Sequence, residues 1–396
     1  MTVSTNRNMR AGAPSQEEIR RQNLGALLRF VHERGQISRA ELTSELGLNR
    51  STIGALTADL TEAGLVTEEA PRETGRAGRP SLVVRAMSES IYAYAVSVEV
   101  DQIRVARIGL GGVLLDQRSI PRPRGSIAGT IDPITTFIKQ MAGEGRCVGA
   151  GIAVCGMVRR EDGMVHLSPY LGGAVDEPIA DSLRERLPEL LPQVAVANVA
   201  DLCALAEHTR GVAAGCDNFI YMYGDVGVGA GIVAGGHRVT GHGGYGGEVG
   251  HMVVNPVGRP CGCGSKGCWE TEIGEHTLLK LAQSTDIGAQ AVLAVVDRAS
   301  RGDHIAQAAV RQVGDWLGFG VANLVNIFNP ELVIFGGTLR DVYLASAAQV
   351  RSKLNSIALA ATREHVRLRT PALGSDGALI GAAELAFQQL LNDPLA

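Results

Sequence analysis

GGEVGHMVVNPVGRPCGCGSKGCWE, residues 246–270, carries the densest chemistry in the chain. Cys261, Cys263 and Cys268 crowd into eight residues as C-x-C-x4-C, and His251 lies ten residues before the first. Three thiolates and one imidazole make a closed tetrahedral donor set, and soft, redox-silent zinc is the metal that suits it. The interleaved glycines let the chain wrap closely round an ion. The other cysteines, Cys147, Cys155, Cys203 and Cys216, sit among apolar or small residues and read as small core hydrophobes. Seven cysteines, three of them clustered, favour metal binding over disulfides in a cytoplasmic chain.

The flanking composition agrees with a folded cytoplasmic protein. The chain has 396 residues, 45% of them apolar, and a net charge of −4, which excludes extensive disorder. No apolar run approaches the ~20 residues needed to cross a bilayer, so no membrane role is expected. The N-terminus has no hydrophobic signal core. Charge is uneven: residues 1–85 carry 12 Arg, no Lys and 10 acidic residues, a net of +2, against −6 for the rest. A basic head on an acidic body suggests a nucleic-acid module joined to a sensing or catalytic one.

The head supports that division. Residues 1–16 are a loose polar terminus. Ile19, Leu24, Leu27, Leu28 and Val31 then share one helical face, and Gly35 ends it. Ser38 caps a second short helix with Leu42 and Leu46 inward. Gly47 supplies a left-handed turn with Leu48 at the corner, and a third helix presents Ile53, Leu56 and Leu60. Gly64 closes it, and residues 65–69 read as a strand. This is a helix-turn-helix with the start of a wing over 17–73. Asn49, Arg50, Ser51 and Thr52 open the recognition helix, where they can reach phosphates and base edges of a double-stranded operator; Arg39 on the preceding helix is a further candidate. GRAGRP, residues 75–80, then reads as part of an Arg/Gly linker over 74–85. Arg76 and Arg79 in that strip suit a narrow minor groove.

The body alternates strands and helices, the mark of an α/β protein. IYAYAVSVEV and IRVARIGL read as adjacent strands joined by a tight turn near Asp101 and Gln102. VGAGIAVC is a buried strand, VAVANVADLCALAEHTRG a strand running into a helix, and FIYMYGDVGVGAGIVAGG two strands round a glycine-rich turn.

The ordered set of helix-turn-helix, GRxGRP, GVGAG, GGEVGH and CGCGSKGCWE resembles the ROK family of repressors, open reading frames and kinases over residues 17–390. The resemblance implies a winged helix-turn-helix followed by an actin-like, RNase H-like body with a sugar cleft between its lobes. The lobes would span 86–200 and 201–375, with a C-terminal helix over 376–396 returning to the first. It implies zinc at His251, Cys261, Cys263 and Cys268, the histidine also facing the sugar. It implies sugar contacts from Asn198, Glu248, His251 and Glu270, which suit hydroxyl pairs. It also implies a homodimer or homotetramer, consistent with two operator half-sites.

Two departures bear on catalysis. The kinases join their first strand pair by DxGGT, which cradles phosphate. Here the turn reads Glu99-Val100-Asp101-Gln102-Ile103, with no glycine and two acidic residues. The kinases also carry Asn-Asp-Ala, whose Asp takes the proton from the sugar hydroxyl. Here Asn198-Val199-Ala200 offers a valine, and Asp201 lies about 200° further round the helix. A third departure, Tyr170 for the family's loop asparagine, leaves open whether a sugar is stacked or excluded. The sequence therefore reads as a non-enzymatic, sugar-modulated repressor of sugar uptake or metabolism genes. The alternatives are an ATP-dependent sugar kinase with a DNA-binding appendage, and a DNA-binding regulator that no longer binds sugar.

Overall fold

The computed structural model describes residues 15–70 and 81–396. The N-terminal domain opens with α1 (Gln16–Arg34), whose first turn is closed by a reciprocal Ser15–Glu18 capping box. After β1 (Gln36–Ser38), a second box between Ser38 and Glu41 starts α2 (Arg39–Leu46). Gly47 takes the left-handed conformation, φ 63°, and turns the chain into α3 (Arg50–Glu62), capped by Asn49. Leu24, Leu27, Leu28, Val31, Leu42, Ile53, Leu56 and Leu60 are all buried and form the core of the domain. Ile19, expected on that face, is 44% exposed, because α1 starts a turn before the domain it packs against.

The wing corrects the linker expected over 74–85. β2 (Val66–Glu69) pairs antiparallel with β3 (Val83–Ala86), and β3 also pairs with β1. Residues 83–86 are therefore the central strand of the domain's sheet. GRAGRP falls in sequence between β2 and β3; the whole motif, Arg76 and Arg79 included, lies outside the described residues.

The body holds two five-stranded sheets of the same plan. In the first lobe, β4 (Ile91–Val98), β5 (Gln102–Gly109) and β6 (Val113–Pro121) form an antiparallel meander. Helix α4 (Ile131–Gln140) leads to β7 (Arg146–Val154), parallel to β4. A small sheet follows: β8 (Met157–Val158), β9 (Val165–Ser168) and β10 (Ala174–Glu177). Helix α5 (Ile179–Arg186) then leads to β11 (Val194–Asn198), parallel to β7, giving the order β11-β7-β4-β5-β6. Helix α6 (Val199–Arg210) crosses to the second lobe.

There β12 (Phe219–Gly224), β13 (Val228–Ala234) and β14 (His237–Arg238) repeat the meander. The cysteine-bearing loop precedes α7 (Trp269–Ile273), α8 (Glu275–Leu281), α9 (Ala289–Ser300) and the long α10 (His304–Phe328). Then come β15 (Leu332–Gly337), α11 (Thr338–Ile357), α12 (Ala360–Arg363) and β16 (Arg367–Arg369), completing the order β14-β13-β12-β15-β16. The final helix, α13 (Gly377–Asn392), packs on β4 and β7 of the first lobe and against α1 and α6. Each lobe thus places the ends of parallel strands and a hairpin turn at the boundary between lobes, where open α/β sheets bind ligands; the second lobe's turn is glycine-rich and the first lobe's is not. Among the described residues, no helix is long and apolar enough to cross a membrane.

Candidate functional site

The recognition-helix residues share one exposed end of α3. The Asn49 side chain accepts from the Thr52 backbone N–H at 2.8 Å and from the Ser51 hydroxyl at 2.7 Å, which fixes the first turn. Arg50 and Ser51 are exposed and Thr52 half-buried, so the helix N-terminus presents a guanidinium, a hydroxyl and unpaired backbone N–H groups outward. Arg39 differs from the expectation. Its guanidinium grips both carboxylate oxygens of Glu68 on β2, so it ties α2 to the wing.

The cysteine loop converges as its spacing suggests. Donor atoms of His251, Cys261, Cys263 and Cys268 all lie within 4.8 Å of one another. Cys263 Sγ is 3.6 Å from Cys268 Sγ, and Cys261 Sγ is 3.7 Å from His251 Nδ1. Two ligands bound at ~2.3 Å with tetrahedral angles are separated by about 3.7 Å. Two of the donor pairs thus already have the spacing of a tetrahedral site. Burial pushes the Cys261 and Cys268 thiols up, whereas the Ser265 backbone contact draws Cys263 down. Trp269, fully buried, locks the loop by donating from Nε1 to the Trp316 carbonyl at 2.8 Å.

Three of the four expected sugar contacts adjoin this cluster. His251 turns Nδ1 toward the thiols and Nε2 toward Glu248 Oε2, 3.9 Å away. Glu270, buried, accepts from the Cys261 thiol at 2.9 Å and lies 3.6 Å from His251 Nδ1. The imidazole thus bridges the donor set and the cleft. Burial raises the Glu248 carboxyl; His251 opposes this, and Asp201 and Glu270 add to it. Tyr170 settles against this group: its hydroxyl lies 3.3 Å from both Glu270 oxygens, and a Cβ on Gly227 would come within 2.6 Å of its ring. The tyrosine therefore fills space beside Glu270. A cavity of about 600 Å³ beside it is walled by Tyr170, Arg259, Cys261, Glu270 and Lys280.

Asn198 stands apart. Its amide accepts from Ala200 N at 2.7 Å and donates to the Gly156 carbonyl at 2.8 Å, capping α6. It lines a larger cavity of about 960 Å³ with Asp201, Arg238 and Arg160, whose wall includes none of Glu248, His251 and Glu270. Asp201 lies 3.5 Å from Arg238. Val199, where a general base would stand, is buried.

The residues at a kinase's nucleotide end are acidic. The β4–β5 turn closes through Glu99 N to the Gln102 carbonyl at 2.9 Å, with Glu99 and Asp101 at its tip. Across the cleft, Asp225 occupies the β12–β13 turn. Burial, with Glu275, Asp101 and Glu99 near it, pushes its carboxyl up to about 6. No local pattern marks Glu275 in the sequence, and the one signal for Asp225 is its interruption of the glycine run GDVGVG. At neutral pH such a group repels a polyphosphate.

Sequence and structure comparisons place these features. The ROK family profile matches residues 93–389, and a MarR family profile matches residues 25–77. The xylose repressor of Bacillus subtilis (strain 168) is 28% identical over 379 residues, covering 94% of this chain and 97% of that protein. A glucokinase of Halalkalibacterium halodurans is 30% identical over 324 residues, covering 76% of this chain and 97% of that enzyme. Among solved structures, a ROK family transcriptional regulator homologous to the Escherichia coli MLC protein superposes with a TM-score of 0.78. It is 24% identical and covers 95% of this chain and 97% of that one. The two-part architecture, winged helix plus actin-like body, is thus that of the regulator.

Proposed function

Because the chain belongs to the ROK family, we propose that it is a transcriptional repressor of sugar uptake or metabolism genes whose operator binding is altered by a sugar or sugar derivative. The observation that carries this reading is the winged domain itself. Its recognition helix is exposed, and its hydrophobic core runs without a break into the first lobe through Phe387 and Leu391 of α13. A DNA reader so mounted can respond to the state of the body. The repressor relative matches across 94% of the chain, the glucokinase across 76%.

In this reading His251, Cys261, Cys263 and Cys268 hold zinc, which orders the loop bearing Glu270. Glu248, His251 and Glu270 hydrogen-bond the sugar; Asn198 contributes through the remaining capacity of its amide. Arg50, Ser51 and Thr52 read the operator, with Arg76 and Arg79 in the wing loop. The protein acts as a homodimer or homotetramer on paired half-sites. Phosphoryl transfer is lost, since Val199 cannot take a proton and Asp225, Glu99 and Asp101 oppose a nucleotide's phosphates.

The test has two parts. Thermal unfolding is followed with D-xylose, D-glucose, N-acetylglucosamine and their phosphates, since a ligand selective for the native state raises stability. Retention on DNA selected from a random pool is then measured with and without the stabilising sugar. A sugar that stabilises the protein and shifts DNA binding supports the reading. ATP turnover with any of these sugars at ~1–100 per second would favour the kinase instead.

A further inference from the structure

We propose that α6 couples the cleft to the DNA-reading domain, and that Arg210, Glu384 and His32 form the buried clasp through which it does so. The inference rests on the proposed sugar-responsive function and names the residues that carry the response.

Helix α6 spans the molecule. It begins at Asn198 between the lobes, and Asp201 in its first turn lies within the field of Glu248. It packs on β12 and β13 of the second lobe and against α13. Twelve residues later, about 18 Å along the axis, it ends at Arg210. That guanidinium is almost wholly enclosed: two of its nitrogens donate to oxygen acceptors, and the third lies 2.8 Å from His32 Nε2. Nε donates to Glu384 Oε1 at 2.7 Å. One terminal nitrogen reaches the carbonyls of His32 at 2.9 Å, Glu33 at 3.1 Å and Gly111 at 3.2 Å. The first two belong to the last turn of α1, whose carbonyls have no partner within the helix and favour a cation.

The other arm of the clasp completes the junction. Glu384, buried on α13, sets its second oxygen 2.9 Å from His32 Nε2. The Gly111 N–H donates to His32 Nδ1 at 2.9 Å, so the ring presents its Nε2 proton to Glu384. Burial alone would raise the Glu384 carboxyl, but the His32 and Arg210 contacts outweigh it and hold it below the usual range. Four segments therefore meet at one charge cluster: α1 of the DNA reader, the β5–β6 turn, α6 and α13.

The arrangement has the form of a sensor rather than of simple glue. Helix α13 mounts α1 on the first lobe along its length, with Arg29 donating to Asn392 Oδ1 at 2.7 Å as a further tie. Helix α6 alone among these segments also packs on the sheet of the second lobe. A change in lobe angle that carries α6 with the second lobe shifts it against α13, and Arg210 is where that shift meets α1. An ion pair buried only for stability is often replaced by apolar residues at no cost. Directional bonds to the carbonyls at a helix end, by contrast, set that helix's orientation.

The test compares wild type with Arg210→Met/Glu384→Gln, which removes both charges so that neither is stranded and leaves His32 an acceptor. The DNA is a duplex selected by the wild-type chain. The sugar is whichever of D-xylose, D-glucose or N-acetylglucosamine raises wild-type thermal stability most. In wild type we expect saturating sugar to change the DNA Kd by about tenfold or more, within the usual range of allosteric coupling. In the double variant that ratio should fall below about threefold, with the sugar Kd within twofold of wild type. A folded variant that keeps the wild-type ratio overturns the clasp, including one whose DNA Kd rises equally with and without sugar. Arg210→Lys guards against misfolding: it keeps the charge but loses the fork to the carbonyls, so an intermediate ratio is expected and an unchanged one overturns the proposal. A wild-type chain whose DNA Kd ignores every sugar overturns the sugar-responsive function and the clasp with it, and shows this before any variant is made.

Discussion

Gly320→Ala should destabilise the second lobe, although alanine is the better helix former. Gly320 lies within α10, directly against Trp269. A Cβ there would sit 2.0 Å from Trp269 Cε2, where ordinary contact begins near 3.4 Å, so the ring must retreat about 1.4 Å. The ring is fully buried and tethered by its 2.8 Å hydrogen bond to the Trp316 carbonyl. Overpacking of this kind costs about 1–3 kcal/mol, and losing the hydrogen bond a further ~0.5–1.5 kcal/mol. Helix propensity returns ~1 kcal/mol. The net expectation is a loss of about 1–3 kcal/mol. Urea unfolding followed by tryptophan emission is the natural assay, because Trp269 and Trp316 are the protein's two tryptophans and both belong to the perturbed contact. The midpoint should fall and native emission should shift. Trp269 lies between Cys268 and Glu270, so metal release to a chelator should also quicken. An unfolding midpoint at or above wild type, with unchanged emission, would refute the packing argument and leave propensity as the only effect.

Three further outcomes are expected. Purified protein should hold one zinc per chain, and Cys268→Ser should lower both zinc content and thermal stability; metal analysis near zero under reducing conditions contradicts this. Arg76→Ala with Arg79→Ala should weaken DNA binding, most for A·T-rich sites, and cut the salt slope by up to ~2, whereas a double variant matching wild type at every salt concentration would reduce the wing loop to a spacer. Asp225 should make stability fall as pH rises from ~4 to ~6: its native carboxyl titrates at about 6 against an ordinary value of 3.8, so across that window the native state holds more protons than the unfolded. Asp225→Asn should therefore gain on the order of 3 kcal/mol over wild type at pH 7 but little at pH 4, and chemical denaturation at both pH values checks it.

What could be read from the sequence was local. Ser38 and Gly47 announce their cap and turn through the chemistry of three or four neighbours, and the structure places each where that chemistry predicts. The cysteine spacing likewise brings its four donors together, since most of the closure occurs within one loop. The misplacements were long-range. β3 completes the wing only by pairing with β1 and β2, so the stretch before it looked like a linker. Arg39 finds Glu68 through the tertiary fold, which no helical pattern reveals. Tyr170 and Glu270 meet across 100 residues, and Arg210 reaches His32 across 178. The fate of Asn198, spent on its own helix cap, follows from strand β11 stopping where α6 begins.

The proposed function requires that cleft and operator communicate. The direct measurement is the affinity of the wild-type chain for its selected duplex, by fluorescence anisotropy at fixed salt, as each stabilising sugar is titrated in. At least one sugar should release the DNA, weakening Kd by about tenfold or more. Sugars that bind and stabilise the protein yet leave DNA affinity unchanged would contradict it.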